Sequence, residues 1–242
     1  RGLGEPEDAE AIESGGCIPG ADPAAVSERA HARGLPQLGS LGSGNHFVEL
    51  GRVAEIFRAD AAEAFGLREG RLVVSIHTGS RGLGHQVCDD AVRVMGKAAE
   101  RYGIALPDRQ LCCAPLGTPE AARYLAGMAA AANFAFANRQ IIAHQVREVF
   151  RRFFGGQGAA GIPRTVYDVA HNIAKWEEHH VRGSSRRLCV HRKGATRAFP
   201  AGHPEVPARY RRVGQPVLIP GDMGRASYVL VGLPGAMAES FG

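Results

Sequence analysis

The sequence has no apolar run near the ~20 residues that a membrane-spanning helix needs. It opens polar and acidic, without the basic and then apolar pattern of a secretory signal. Cysteine is scarce: Cys17, Cys88, Cys112, Cys113 and Cys189 make five, an odd number, and no pair has CxxC spacing. That argues against a disulfide framework and favours the cytoplasm over secretion. Internal repeats, low-complexity tracts and a Pro/Ser/Gly linker are absent, so one larger domain is the default reading over two small ones. Regular βαβ alternation is missing as well, which favours α+β over a doubly wound sheet.

What is present is a 242-residue chain, 45% hydrophobic and 22% charged, long enough for a large core. Net charge is +5 and the pI about 9.2. The basic residues cluster: Arg147, Arg151 and Arg152; Arg182, Arg186 and Arg187; Arg192, Lys193 and Arg197; Arg209, Arg211 and Arg212. Any one cluster reads as a solvated surface, but four in the second half favour a polyanionic partner.

Ile18-Pro19-Gly20 predicts a turn, and Asp22-Pro23 predicts a cap on a short helix from Ala24 to Ala32. Gly39 to Gly44 is a glycine and serine loop that delivers Asn45-His46 into a strand at Phe47–Leu50. A helix follows from Val53 to Phe65, then a buried strand from Arg71 to Ile76 that runs into His77 and the loop Thr78–Gly84. Helices are expected from Gln86 to Tyr102 and from Pro119 to Phe153, the second broken by Gly155 to Gly161. Val166–Ala170 reads as a strand, Ala174–His180 as a charged helix, and Leu188–His191, Pro216–Pro220 and Tyr228–Val231 as strands.

His46, His77 and His171 share one context: the end of an apolar segment, beside Asn45, Thr78 or Asn172. Imidazole suits Mn, Zn, Fe, Co or Ni, although a lone histidine there is commonly a satisfied core residue. The spacings are too long for a short metal signature. Gly79-Ser80-Arg81-Gly82-Leu83-Gly84 has the makings of a phosphate cradle, with amides free to approach an anion and Arg81 to fork onto it, or of a plain strand-to-helix turn. His191-Arg192-Lys193-Gly194 reads either way too. Glu49, three residues from His46, falls on the opposite face of a strand, and so reads as an ordinary surface glutamate or as a contact for a ligand's amine groups rather than as a ligand of the same metal. Pro220-Gly221-Asp222-Met223-Gly224 reads as a plain tight turn or as one whose amides and carboxylate face a ligand.

Taken in order, Pro36–Phe47, Ile76–Gln86, Asn133–Gln140, Asp168–Asn172, His191–Ala198 and Val217–Gly221 resemble one family, the RtcB-type RNA ligases. The resemblance implies an α+β fold with mixed or antiparallel sheets and helices packed around a central metal and nucleotide cleft. Residues 1–242 would be the central part of a single catalytic domain. It implies a ligase that joins RNA 3′-phosphate or 2′,3′-cyclic phosphate ends to 5′-hydroxyl ends, in tRNA splicing or RNA repair. Its cofactors would be GTP and two manganese ions, and it would work through a covalent histidine–GMP intermediate. Carried over motif by motif, His46 would hold one manganese, and His77 and His171 the other. Asn45, Phe47, Glu49, Asn172, Pro220, Asp222 and Ser227 would contact the guanylate, and Arg81 and Lys193 would hold RNA or nucleotide phosphates. RNA is the implied partner, with an accessory activator of the archease kind a further candidate.

The sequence departs from the family pattern. An early motif with an Asp and a Cys metal ligand is not found, and Cys17 lies in a different context. The glycine-rich motif with the nucleophilic histidine is expected beyond Gly242, so none of the histidines present is assigned as nucleophile. The family's guanine-binding lysine is missing, and Asp222 stands where many members have serine. Arg1 is not a start methionine, so the expectation is a piece of a longer enzyme, inactive alone. The alternatives are a truncated product that keeps only metal or RNA binding, and a metallo-phosphoesterase.

Overall fold

The computed structural model describes residues 2–154, 161–222 and 224–242. Among them are α1 (Glu28–Gly34), β1 (Phe47–Arg52), α2 (Ala59–Phe65), β2 (Leu72–His77), α3 (Arg81–Arg101), α4 (Pro119–Phe154), β3 (Asn172–Val181), β4 (Ser184–Lys193), β5 (Pro216–Ile219), β6 (Tyr228–Val231) and α5 (Pro234–Ser240). Helices and small two-stranded sheets, β1-β2, β3-β4 and β5-β6, make the protein α+β, as the sequence predicts. None of the described helices is long and apolar enough to cross a membrane. The expected break after α4 falls largely outside the described residues, as do Arg1 and Met223.

The chain divides into two compact units. The first contains residues 16–48 and 76–154 and is mostly helical. Val26, Ala30, Leu83, Val87 and Ala131 form its buried apolar cluster. A Cβ on Gly34 would lie 2.7 Å from Leu83 Cβ, so glycine there lets α1 seat on α3. Ser27, not Asp22, caps α1: its hydroxyl accepts from Ala30 N at 3.2 Å and donates to Asp90 at 2.7 Å. Asp22 caps only the single 3-10 turn Pro23–Ala25. The helix expected from Ala24 is therefore two short pieces with two caps. Helix α3 begins at Arg81, earlier than the Gln86 predicted, because its glycines serve close packing rather than a loop. A Cβ on Gly82 would meet Gln37 Oε1 at 2.7 Å, and one on Gly84 would meet Ser80 Oγ at 1.9 Å.

The second unit contains residues 5–15, 49–75 and 161–242. Its core gathers Phe65, Tyr167, Phe199, Val206, Tyr210 and Val213. The helix predicted from Val53 starts only at Ala59. Val53 instead donates to Arg71 O and accepts from Gly70 N, both at 2.9 Å, which extends the β1-β2 pairing. The strand expected at Val166–Ala170 is a single bridge, in which Asp168 pairs with Ile12. The largest correction is Ala174–His180, which is strand β3 and not helix, antiparallel to β4 with Asn172 opposite Lys193 and Val181 opposite Ser184. The alternation was hidden because the inward residues are polar. Lys175, Glu177 and His179 are all buried.

These inward groups are paired. Lys175 Nζ lies 3.0 Å from Glu13 Oε1, and the other oxygen of Glu13 accepts from Ala170 N at 2.8 Å. Glu177 receives a two-pronged contact from Arg192, at 2.6 and 3.0 Å, and one from His179 at 2.8 Å. Arg192 and Arg197 are thus interior ions, not part of a solvated basic surface as their sequence cluster suggested. Burial pushes the Glu177 carboxyl up, but the hydrogen bonds from Arg192 and His179 outweigh it and hold the group below its ordinary value.

Removing one partner of a buried ion pair leaves the other charged and dry. Glu13→Ala should cost about 3–5 kcal/mol in urea denaturation; a loss under about 1 kcal/mol would contradict the pairing. A depressed carboxyl contributes stability above its unfolded pKa and loses it as pH falls through the folded value. The destabilisation by Glu177→Gln should therefore be fully present at neutral pH and shrink once the pH drops below 4.5, the ordinary glutamate value. A penalty independent of pH would refute the assignment.

Candidate functional site

In the first unit the glycine loop and the β2–α3 turn meet on the middle of α4. The agent is Asn138, fully buried on that helix. Its Oδ1 accepts from the amides of Gly39 at 2.6 Å and Ser40 at 3.2 Å. Its Nδ2 donates to Ser40 O at 3.1 Å and Gly79 O at 3.2 Å. One amide so ties both loops, and its hydrogen-bonding groups are all engaged. Next to it, Arg139 donates to Thr78 O at 3.1 Å, and Thr78 donates from its hydroxyl to Leu41 O at 2.7 Å. Gly82 N donates to Gln37 Oε1 at 2.7 Å.

This scaffold presents His46, Phe47, His77 and Arg81. The His46 and His77 rings lie edge to face with centroids 6.2 Å apart, and Phe47 meets His77 at 5.3 Å. Arg81 Nε donates to Ser40 Oγ at 3.3 Å, and its Nη1 lies 3.1 Å from His46 Nδ1. Gly42 makes that approach possible: with φ +100°, a Cβ there would fall 2.0 Å from Arg81 Nη1 and 2.6 Å from His46 Nδ1. Arg81 itself holds φ +53°, a left-handed conformation that a non-glycine side chain adopts at a cost. Burial, and then the Arg81 charge, lower the His46 pKa against a hydrogen bond to the Leu41 backbone. The imidazole is thereby kept neutral, the form that binds a metal.

Apart from Asn45, the remaining predicted residues lie in the second unit. Asn172 and Lys193 are partners at one end of the β3-β4 hairpin. The Oδ1 of Asn172 accepts from Gly194 N at 2.9 Å, a structural use of a residue read as a ligand contact. His171 directly precedes this pair and is half-buried. Pro220, Asp222 and Ser227 lie in the β5–β6 connection. There Ser227 Oγ accepts from Gly221 N at 3.0 Å, and Asp222 faces Arg225 at 3.5 Å in an exposed ion pair. Glu49 is exposed on β1, and Asn45 is exposed beside His46. Among the described residues no group of three or more His, Cys, Asp or Glu is arranged to hold a metal. The donors that fit one are the neutral His46 and its neighbour His77.

Sequence reasoning passed over Asn138, Arg139 and Gln37 as contributors to the site. The signal was the entry of Asn138-Arg139 into an apolar, alanine-rich helix. A polar pair there has to find partners, and here it finds two loops.

The fold and this histidine–arginine centre define an α+β protein, and comparison with known proteins narrows the class. The family model described as tRNA-splicing ligase RtcB matches residues 1–242. The chain is similar to the tRNA-splicing ligase RtcB of Thermococcus kodakarensis, with 57% identity over 241 residues, covering 100% of this chain and 50% of that one. It is 58% identical over 244 residues to that of Pyrococcus furiosus, covering all of this chain and 25% of the relative. For Archaeoglobus fulgidus the figures are 57% over 242 residues, with 50% of the relative covered. The chain belongs to the RtcB family, and it spans half or less of the length of these relatives.

If Asn138 holds both loops, Asn138→Ala should release the Gly39 amide to solvent, whereas Ser40 N keeps its bond to Gln37 O at 3.1 Å. Hydrogen exchange at Gly39 should accelerate at least tenfold while the amides of α3 keep their protection. Unchanged exchange at Gly39 would refute that role.

Proposed function

We propose that this chain supplies part of the catalytic centre of an RNA ligase that joins 3′-phosphate or 2′,3′-cyclic phosphate ends to 5′-hydroxyl ends. It would use GTP and manganese and act in tRNA splicing or RNA repair. The observation that carries the reading is the His46–Arg81–His77 centre, which lies on motifs of a family matched along the whole chain. The relatives' names speak of tRNA-splicing ligases.

In this reading His46 and His77 are manganese ligands, and His171 is assigned to a metal by its motif alone. When bound, the ions would neutralise charge on the phosphoryl group in transfer. His46 and His77, with ring centroids 6.2 Å apart, would be the residues of this centre that hold the metal. Arg81 would trade its bond to His46 for a phosphate oxygen, with the fork geometry that such oxygens accept. Lys193 offers a second cation for an RNA or nucleotide phosphate. Asn45, Phe47, Glu49, Asn172, Pro220, Asp222 and Ser227 are proposed around the guanylate; for Asn172 this leaves the side-chain nitrogen, since its oxygen serves Gly194. The covalent guanylate would form on a histidine that is not among those assigned here. RNA is the proposed partner, an archease-like activator is a candidate accessory, and the cytoplasm is the proposed compartment.

The test is a joining reaction with the full-length gene product, one RNA ending in a 2′,3′-cyclic or 3′-phosphate and another beginning with a 5′-hydroxyl. Joined RNA should appear with Mn²⁺ and GTP, and fall at least a hundredfold with His77→Ala. No product, or equal product with ATP in place of GTP, would overturn the reading. Gly42→Ala should also depress joining at least tenfold by driving Arg81 away from His46. Full activity in that variant would show that their approach is incidental.

A further inference from the structure

Beyond Asn172 and Lys193, the outward face of the β3-β4 hairpin carries chemistry that neither the motifs nor the relatives' names assign. Register places Asn172 opposite Lys193, Ala174 opposite His191, Trp176 opposite Cys189 and Glu178 opposite Arg187. Side chains alternate along a strand, so these share one face and the buried Lys175, Glu177 and His179 take the other. The chain has a single tryptophan, and it is 44% exposed on this face. The guanidinium of Arg187 sits 5.0 Å from its ring centroid. A cleft of about 300 Å³ opens beside the pair, lined also by Glu178, His203 and Glu205. Lys193 lies at one end of the face and Arg182 is exposed in the turn at the hairpin tip, whereas Arg186, opposite His179, takes the other face.

The charges sort what could bind. The Glu178 carboxylate repels a phosphate from the cleft but can accept from the amino groups of a base, while Glu205 is already engaged by Arg197. Trp176 and the Arg187 plane offer stacking surface, as sites for single-stranded nucleic acid do. Cations stand where a backbone would leave the cleft. Trp176 is four residues from Asn172, about 13 Å along the strand at about 3.3 Å per residue. A duplex, whose bases are stacked inside, could not use such a cleft.

We propose that this face binds a single-stranded segment of the RNA substrate, one base stacked in the Trp176 cleft and its phosphates running between Lys193 and the Arg182–Arg187 tip. The proposal rests on the RNA-ligase reading and adds a binding surface to it. Its test is fluorescence anisotropy with the full-length protein and a labelled single-stranded oligoribonucleotide carrying 3′-hydroxyl ends, so that no joining occurs, against the same sequence as a duplex. Trp176→Ala should weaken single-strand binding at least fivefold with its salt dependence unchanged, and Trp176→Phe should stay within twofold of the parent. Arg187→Ala should weaken binding and also lower the salt slope by about one. Single-strand binding by Trp176→Ala within twofold of the parent, or an equal loss for the duplex, would overturn the proposal. Should Trp176→Ala fail to fold, crosslinking of 4-thiouridine RNA to the parent protein decides: adducts within residues 172–193 support the surface, and adducts confined elsewhere sink it. A protein that joins RNA ends yet shows no Trp176 effect refutes this surface alone. One that binds no RNA in any form refutes the ligase reading as well.

Discussion

The first unit depends on one buried amide. Asn138 sits on α4 with no access to water, and each of its hydrogen-bonding groups must find a protein partner or cost about 1–3 kcal/mol. It finds them on two separate chain segments, the loop at Gly39–Ser40 and the turn at Gly79. The segment that follows the first carries His46, and the second is flanked by His77 and Arg81. Polar satisfaction in the core thereby fixes where the imidazoles and the guanidinium lie. Glycine makes the arrangement sterically possible, at Gly42 between Arg81 and His46 and at Gly82 against Gln37. The left-handed backbone of Arg81 is a local cost that this setting sustains.

The second unit solves a related problem with charge. Its β3-β4 hairpin turns Lys175, Glu177 and Arg192 inward, and each meets an opposite charge with good geometry. Such interiors favour a single arrangement, because any shift in register leaves an ion dry and alone. The reward is a hairpin whose outward face is held in place, with Asn172 and Lys193 at one end and Trp176 with Arg187 nearer the tip.

Much of this was legible in the sequence, and the exceptions share a cause. Apolar periodicity revealed β2, α4, β5 and β6 because their burial is apolar or their ends are marked by proline and glycine. It failed at Ala174–His180, where a buried face made of lysine, glutamate and histidine imitates a charged helix. It failed at Gly82 and Gly84, where glycine permits tight packing inside a helix and so resembles a loop. For the site, the ordered motifs singled out His46, His77 and Arg81, and their meeting on one scaffold is a fact of the fold. Gln37 stayed hidden because its partner is a backbone amide, which leaves no mark in a sequence, and Asn138 was marked only by its entry into an apolar helix. Asn172 and Ser227 were read as ligand contacts, and the fold also uses both as hydrogen-bond partners of nearby backbone amides.

The central claim is that His46 and His77 form a metal-binding pair whose setting is fixed by Asn138 and Arg81. It is tested most directly by pulsed electron paramagnetic resonance on the full-length protein, labelled with ¹⁵N-histidine and loaded with Mn²⁺. The account predicts a histidine-nitrogen coupling to manganese that weakens in His46→Ala and again in His77→Ala. A manganese signal with no histidine coupling, or one unaffected by either substitution, would contradict it.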